Sequence, residues 1–165
     1  MKLQHLFVAA FLVATSFINA QNKEVTLEEI WGGEFRQEYL QSLRSLNNGE
    51  EYAVRNFDRA TRTMNVDVYS YETGEKTRTL ISSADIEGLD FFQDYTLSEN
   101  ESKVILSTQV QSIFRRSTTG VYYVYDFSSE KLTQISEDRI QEPTFSPDAS
   151  KVAYVFENNI YVKDL

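Results

Sequence analysis

Cysteine is absent from the chain, and histidine occurs once, at His5. Without thiols there can be no disulfide framework and no cysteine-based metal site. Proline and glycine are also scarce, with two and six residues, so neither a collagen-like nor a low-complexity chain is present. Positive charge is in deficit: 16 Lys and Arg stand against 25 Asp and Glu, for a formal charge of −9. Binding to a phosphate backbone needs clustered Lys and Arg that displace counterions, so nucleic acid is excluded as the main partner.

What the 165 residues do contain is aromatic and β-branched side chains, including ten Tyr and eleven Phe, with 41% hydrophobic residues overall. Such residues suit a pleated, half-buried surface and argue against disorder.

Residues 1–20 are of another kind. Lys2 gives a positive start, 6–17 is almost wholly apolar, and Ile18-Asn19-Ala20 offers a small residue for cleavage before Gln21. This predicts an export signal and a periplasmic or extracellular protein. An uncleaved membrane anchor is the alternative, although the apolar run falls short of the ~20 residues a spanning helix needs. Cleavage would remove Lys2 and no acid, and with it His5. The remainder could hold neither a Ser-His-Asp triad nor a His-bearing zinc site, so chemistry of that kind must come from outside these residues.

The segment 21–46 is expected to be a helical lead-in. Thr26 and Glu29 have capping-box spacing before Gly32-Gly33. A second helical stretch over 34–46 fits the spacing of Phe35, Tyr39, Leu43 and Leu46, but 43–46 could equally open a first strand. From residue 47 on, short strands alternate with polar turns: 52–56, 64–71, 103–107, 121–127, 151–156 and 160–162. Thr73-Gly74, Ser146-Pro147-Asp148 and Asn158-Asn159 punctuate them.

The strands repeat. Thr96-Leu97-Ser98 with Ser102-Lys103-Val104 recurs 48 residues later as Thr144-Phe145-Ser146 with Ser150-Lys151-Val152, and Asn48-Gly49-Glu50-Glu51-Tyr52 is a looser copy. Val68 to Lys76 also lines up with Val124 to Lys131. A period of ~40 to 50 residues carrying about four strands marks a β-propeller blade, and a closed propeller has ~4 to 8 blades. The expected fold is therefore all-β: a partial β-propeller of about three four-stranded blades over residues 47–165, the N-terminal piece of a longer protein.

One interval breaks the period. Lys151 to Asp164 takes 13 steps along the chain, whereas Lys103 to Asp126 takes 23. The ten extra residues predict an elongated hairpin around Gln109 to Thr118, with Arg115 and Arg116 side by side next to Phe114. Adjacent arginines in an acidic protein can form a fork for a carbonyl or carboxylate. The other reading is a solvated basic edge that blunts strand pairing. The pairs Glu28-Glu29 and Glu50-Glu51 are assigned to inert, solvated surface. Asn100-Glu101-Ser102 fits a glycosylation acceptor, and scattered acids without calcium-loop spacing predict no metal.

The run Phe114-Arg115-Arg116-Ser117-Thr118-Thr119-Gly120-Val121-Tyr122-Tyr123-Val124-Tyr125-Asp126 resembles bacterial dipeptidyl peptidase IV of the prolyl oligopeptidase family of serine peptidases. So do Pro143-Thr144-Phe145-Ser146-Pro147-Asp148 and the opening 25–31. The resemblance implies an eight-bladed N-terminal propeller joined to a C-terminal α/β-hydrolase domain, and release of dipeptides with Pro or Ala second. It also implies that Arg115 hydrogen-bonds a substrate backbone carbonyl, with Arg116 in a supporting role. No catalytic residue, metal or cofactor is expected here; the paired Glu and the triad of the family must lie beyond residue 165. Peptide substrate and the hydrolase domain are the implied partners, and a homodimer is a further one, since the family often dimerises. Ala149 departs from the family pattern, which has Gly after Ser-Pro-Asp. A related tripeptidyl or acylaminoacyl enzyme would lack the arginine hairpin. A non-catalytic exported propeller binding a protein or glycan is the reading from another class; only downstream sequence separates it from a peptidase.

Overall fold

A computed structural model describes residues 25–36 and 42–165. The expected export signal, 1–20, lies outside the described residues. Two compact units result, 1–39 and 40–165. In the first, helix α1 (Leu27–Gly32) starts at Thr26, whose side chain accepts from the Glu29 N–H at 3.2 Å while Glu29 accepts from the Thr26 N–H at 3.1 Å. This capping box satisfies two helix-end donors that would otherwise lack partners. Gly33 closes the helix at φ +81, a left-handed conformation that a glycine adopts without penalty.

The second unit is all-β, as the sequence leads one to expect. Its first sheet comprises β1 (Leu43–Ser45), β2 (Glu51–Asp58), β3 (Thr63–Ser70) and β4 (Lys76–Ser82). A second holds β5 (Asp94–Leu97), β6 (Lys103–Phe114), β7 (Ser117–Asp126) and β8 (Lys131–Gln134), and a third β9 (Gln141–Phe145), β10 (Lys151–Phe156) and β11 (Asn159–Asp164). In every sheet the strands pair antiparallel in chain order.

Residues 43–45 are thus strand, not helix. Leu46 is buried in the core beneath the first sheet, and its N–H bonds Glu51 O at 2.9 Å, so the chain is already turning into β2. The expected boundary at 46/47 therefore falls inside the first sheet; residues 37–41 lie outside the described ones.

The repeat has a structural cause. Leu46, Ser98 and Ser146 each close the same turn, donating an N–H to Glu51, Lys103 and Lys151 at 2.9 Å in all three sheets. Within it Asn48, Asn100 and Asp148 cap the next N–H groups, those of Glu50, Ser102 and Ser150. One residue per turn must take positive φ: Gly49 at +71, Glu101 at +56 and Ala149 at +57. The β10–β11 turn is shifted by one from the expected Asn158-Asn159: Glu157 and Asn158 both take positive φ, as a type I′ hairpin requires.

Two apolar layers hold the sheets. Ala53, Met64, Val66, Val68, Phe92, Val104 and Leu106 fill one; Ile105, Tyr122, Val124, Ile140 and Val152 fill the other. Alternate residues of β6 enter opposite layers, so both faces of the middle sheet are covered, and its central strand reads as a near-continuous apolar run.

Not all the surface carboxylates are idle. Glu29 belongs to the capping box, and Glu51 is tied to Arg78 Nη1 at 2.5 and 2.6 Å and to the Thr77 hydroxyl at 2.8 Å. The expectation that Glu51 is inert is corrected: an opposite charge two strands away in the sheet was beyond what spacing along the chain could show.

Candidate functional site: the arginine hairpin

Lys103 faces Asp126 across β6 and β7, and Lys151 faces Asp164 across β10 and β11. Both pairs are also ion pairs, the first at 3.0 Å. The second-sheet hairpin is therefore longer than the third-sheet one by the ten residues that the chain spacing gives. Phe114 and Ser117 are the last paired residues, so Arg115 and Arg116 are the two-residue turn at its tip. Both are exposed, and among the described residues neither guanidinium has a hydrogen-bond or ion-pair partner. Phe114 beside them is 76% exposed.

The hairpin is not a straight continuation of the sheet. Its register skips between Thr108 and Gln111, where β6 carries an extra residue, and again between Ser112 and Phe114. Gln109 sits at the first skip with φ +50. A bulge leaves backbone groups unpaired and bends the strand. Here residues outside the hairpin take them up. Gln93, just before β5, accepts the Val110 N–H at 2.5 Å. Arg139 donates through Nη2 to Gln109 O and to Thr119 O, the latter at 3.3 Å. Gly120 and Ile140 exchange both backbone hydrogen bonds at 3.0 Å.

Gly120 is needed where it stands. A Cβ there would lie 3.1 Å from Thr108 O and 3.2 Å from side-chain carbons of Tyr122 and Val110. Beneath the hairpin a cleft of about 380 Å³ is lined by Gln93, Asp94, Val110, Thr118, Tyr122 and Glu142. Burial raises the Tyr122 phenol above its ordinary value of 10.0. A separate cleft of about 520 Å³, lined by Arg44, Arg55, Phe57 and Asp94, lies away from the arginine turn. Among the described residues no group of three His, Cys, Asp or Glu side chains could hold a metal ion.

Sequence reasoning found the arginines and missed their supports. Gln93 and Arg139 act on backbone atoms and carry no motif. Gly120, an isolated glycine in an aromatic strand run, was the one available signal of close backbone approach.

In the crystal structure of Porphyromonas gingivalis dipeptidyl peptidase 4, a match covers 87% of this chain and 20% of that one, at 32% identity and a TM-score of 0.70. Residues 98–165, which include the whole hairpin, match the family model described as the dipeptidyl peptidase IV (DPP IV) N-terminal region. The chain carries the N-terminal propeller region of a dipeptidyl peptidase IV-like protein. Among curated relatives of this dipeptidyl peptidase IV-like region, prolyl endopeptidase FAP of Homo sapiens is 32% identical over 143 residues, covering 86% of this chain and 18% of its own length. Dipeptidyl-aminopeptidase B of Aspergillus niger is 27% identical over 166 residues, covering 92% and 18%. The chain thus spans about a fifth of the length of the relatives it matches. Its three sheets are read as blades of a dipeptidyl peptidase IV-like propeller.

Proposed function

We propose that these blades admit and register the peptide in an exported serine exopeptidase that releases N-terminal dipeptides with Pro or Ala as the second residue. The observation that carries this reading is the pair of guanidinium groups, without partners among the described residues, at the tip of the lengthened, braced hairpin. Export is supported by the leader-like composition of residues 1–20.

A guanidinium presents N–H donors in a planar fork and keeps its charge at any working pH. Arg115 donates to a backbone carbonyl of the bound peptide, with Arg116 in support. Because a backbone carbonyl is common to all peptides, this contact sets how far the chain enters and leaves side-chain choice to other groups. The serine, its general base and the hydrolase fold that holds them belong to a C-terminal domain of the same protein, and a homodimer is compatible with the reading. This chain's contribution to rate is positional: it holds the scissile bond at one distance from the nucleophile.

The test uses the intact protein that carries this chain, assayed on Gly-Pro and Ala-Pro amides. Arg115→Ala should lower kcat/KM about ten- to a hundred-fold, the equivalent of a charge-assisted hydrogen bond of ~1.5 to 3 kcal/mol. Arg116→Ala should cost less. An unchanged kcat/KM in Arg115→Ala would refute the assignment, and an inactive intact protein that binds a protein or glycan would replace it with the non-catalytic reading.

A further inference from the structure

The arginine turn stands at the end of a two-stranded ribbon, and such a ribbon is pliable unless its base is fixed. Between Thr108 and Gln111 the ladder is interrupted, so the ribbon's own hydrogen bonds do not carry the direction of the sheet through to the tip. What crosses the gap is Arg139. Its Nη2 donates to one carbonyl on each strand, Gln109 O on β6 and Thr119 O on β7, and so ties the two strands together where their pairing skips. The next residue, Ile140, is wholly buried and doubly hydrogen-bonded to Gly120, which anchors the backbone from which Arg139 reaches. Arg139 Nε is buried with no acceptor among the described residues. The side chain thus gives up hydration at one nitrogen in order to serve two carbonyls with another. Gln93 braces the same bulge from the other side through the Val110 N–H.

We infer that Arg139 is a positioning residue: it aims the hairpin so that Arg115 meets the peptide carbonyl, with Gln93 as a second, weaker brace. Arg139 itself touches no substrate. The inference rests on the reading of Arg115 given above, and two readouts keep the failures apart.

The first is a double-mutant cycle in the intact protein. Arg139→Met should lower kcat/KM for Ala-Pro amides on the order of tenfold, as misplacement of a binding group does. In an Arg115→Ala background the same change should have less than about a twofold effect, because there is no longer a contact to misplace. Arg139→Lys, which keeps a charged donor group without the planar fork, should recover part of the loss. The second readout is amide hydrogen exchange, which needs no substrate: residues 111–119 should exchange faster in Arg139→Met while β2 and β3 are unchanged. Gln93→Met should do the same to a smaller degree and serves if Arg139→Met folds poorly. An equal loss of kcat/KM in both backgrounds, or unchanged exchange in the hairpin, overturns the inference. If Arg115→Ala alone leaves kcat/KM intact while hairpin exchange rises in Arg139→Met, the peptide reading fails and the bracing role stands.

Discussion

Arg78 on β4 holds both carboxylate oxygens of Glu51 on β2, at 2.5 and 2.6 Å, reaching past β3 to do so. In the next two blades a lysine fills the position of Glu51, and its partner is an acid on the third strand, Asp126 or Asp164. The reversed sign at residue 51 moves the ion pair out to the fourth strand.

The first prediction concerns pH. The Arg78 guanidinium, with the Thr77 hydroxyl, lowers Glu51 from its ordinary 4.5 to about 2. The Ser146 hydroxyl and the Ser150 N–H lower Asp148 from 3.8 to about 2. Depressed folded-state values mean that the unfolded chain binds more protons in this range, so stability rises with pH. The contribution is complete above 4.5 and is lost as pH falls toward about 2. Urea midpoints measured across that window should fall with acidity, and Glu51→Gln should flatten the slope. A slope unchanged in Glu51→Gln would show that this carboxylate is not lowered.

Ala149 occupies a left-handed position, φ +57, that Gly49 fills in the equivalent turn at φ +71. A Cβ is disfavoured there, though Ala149 regains part of the cost through burial at 1% exposure. Ala149→Gly should therefore stabilise the protein by about 0.5 to 1 kcal/mol, and Gly49→Ala should destabilise it by a similar amount. Denaturation midpoints check both; a lower midpoint for Ala149→Gly would mean that the methyl's packing outweighs the backbone strain.

Gly120→Ala should cost about 1 to 3 kcal/mol, because its methyl must displace Thr108 O, a backbone atom 3.1 Å away. The damage should concentrate at the hairpin base, visible as faster amide exchange at Thr108, Val110 and Ile140. Wild-type exchange there would show that the strands can spread without penalty.

Phe92, fully buried between the first two blades, fills space that no neighbour can reclaim cheaply. Phe92→Ala should lose about 3 to 5 kcal/mol, and Leu106→Ala about 2 to 5. Equilibrium unfolding of the two variants tests whether this layer is as tightly packed as its burial indicates.

The strands with alternating or continuous apolar residues were legible: β10 runs over the expected 151–156, and β2, β3 and β7 lie within a few residues of expectation. The strands that escaped notice lie at the edges of the sheets. β4 begins Lys76-Thr77-Arg78-Thr79, four exposed positions, and β9 mixes Gln141, Glu142 and Pro143 into a five-residue strand. Such strands are specified by the neighbour they pair with and carry no hydrophobic period of their own. The hairpin's length could be read from the offset between copies, because cross-strand partners at its base are fixed by the repeat. The bulge at Gln109 and its supports could not, since they consist of hydrogen bonds to backbone atoms that every residue possesses.

The two-residue turn at Arg115-Arg116 makes the hairpin a ruler with discrete marks. Each residue added to both strands would carry the turn outward by ~3.4 Å and invert which side of the ribbon its side chains face. Only changes by two residues per strand preserve the facing, so the reach of the guanidinium groups can be re-set only in strides of ~7 Å. Fine adjustment is left to the bulges, each of which changes the count on one strand alone.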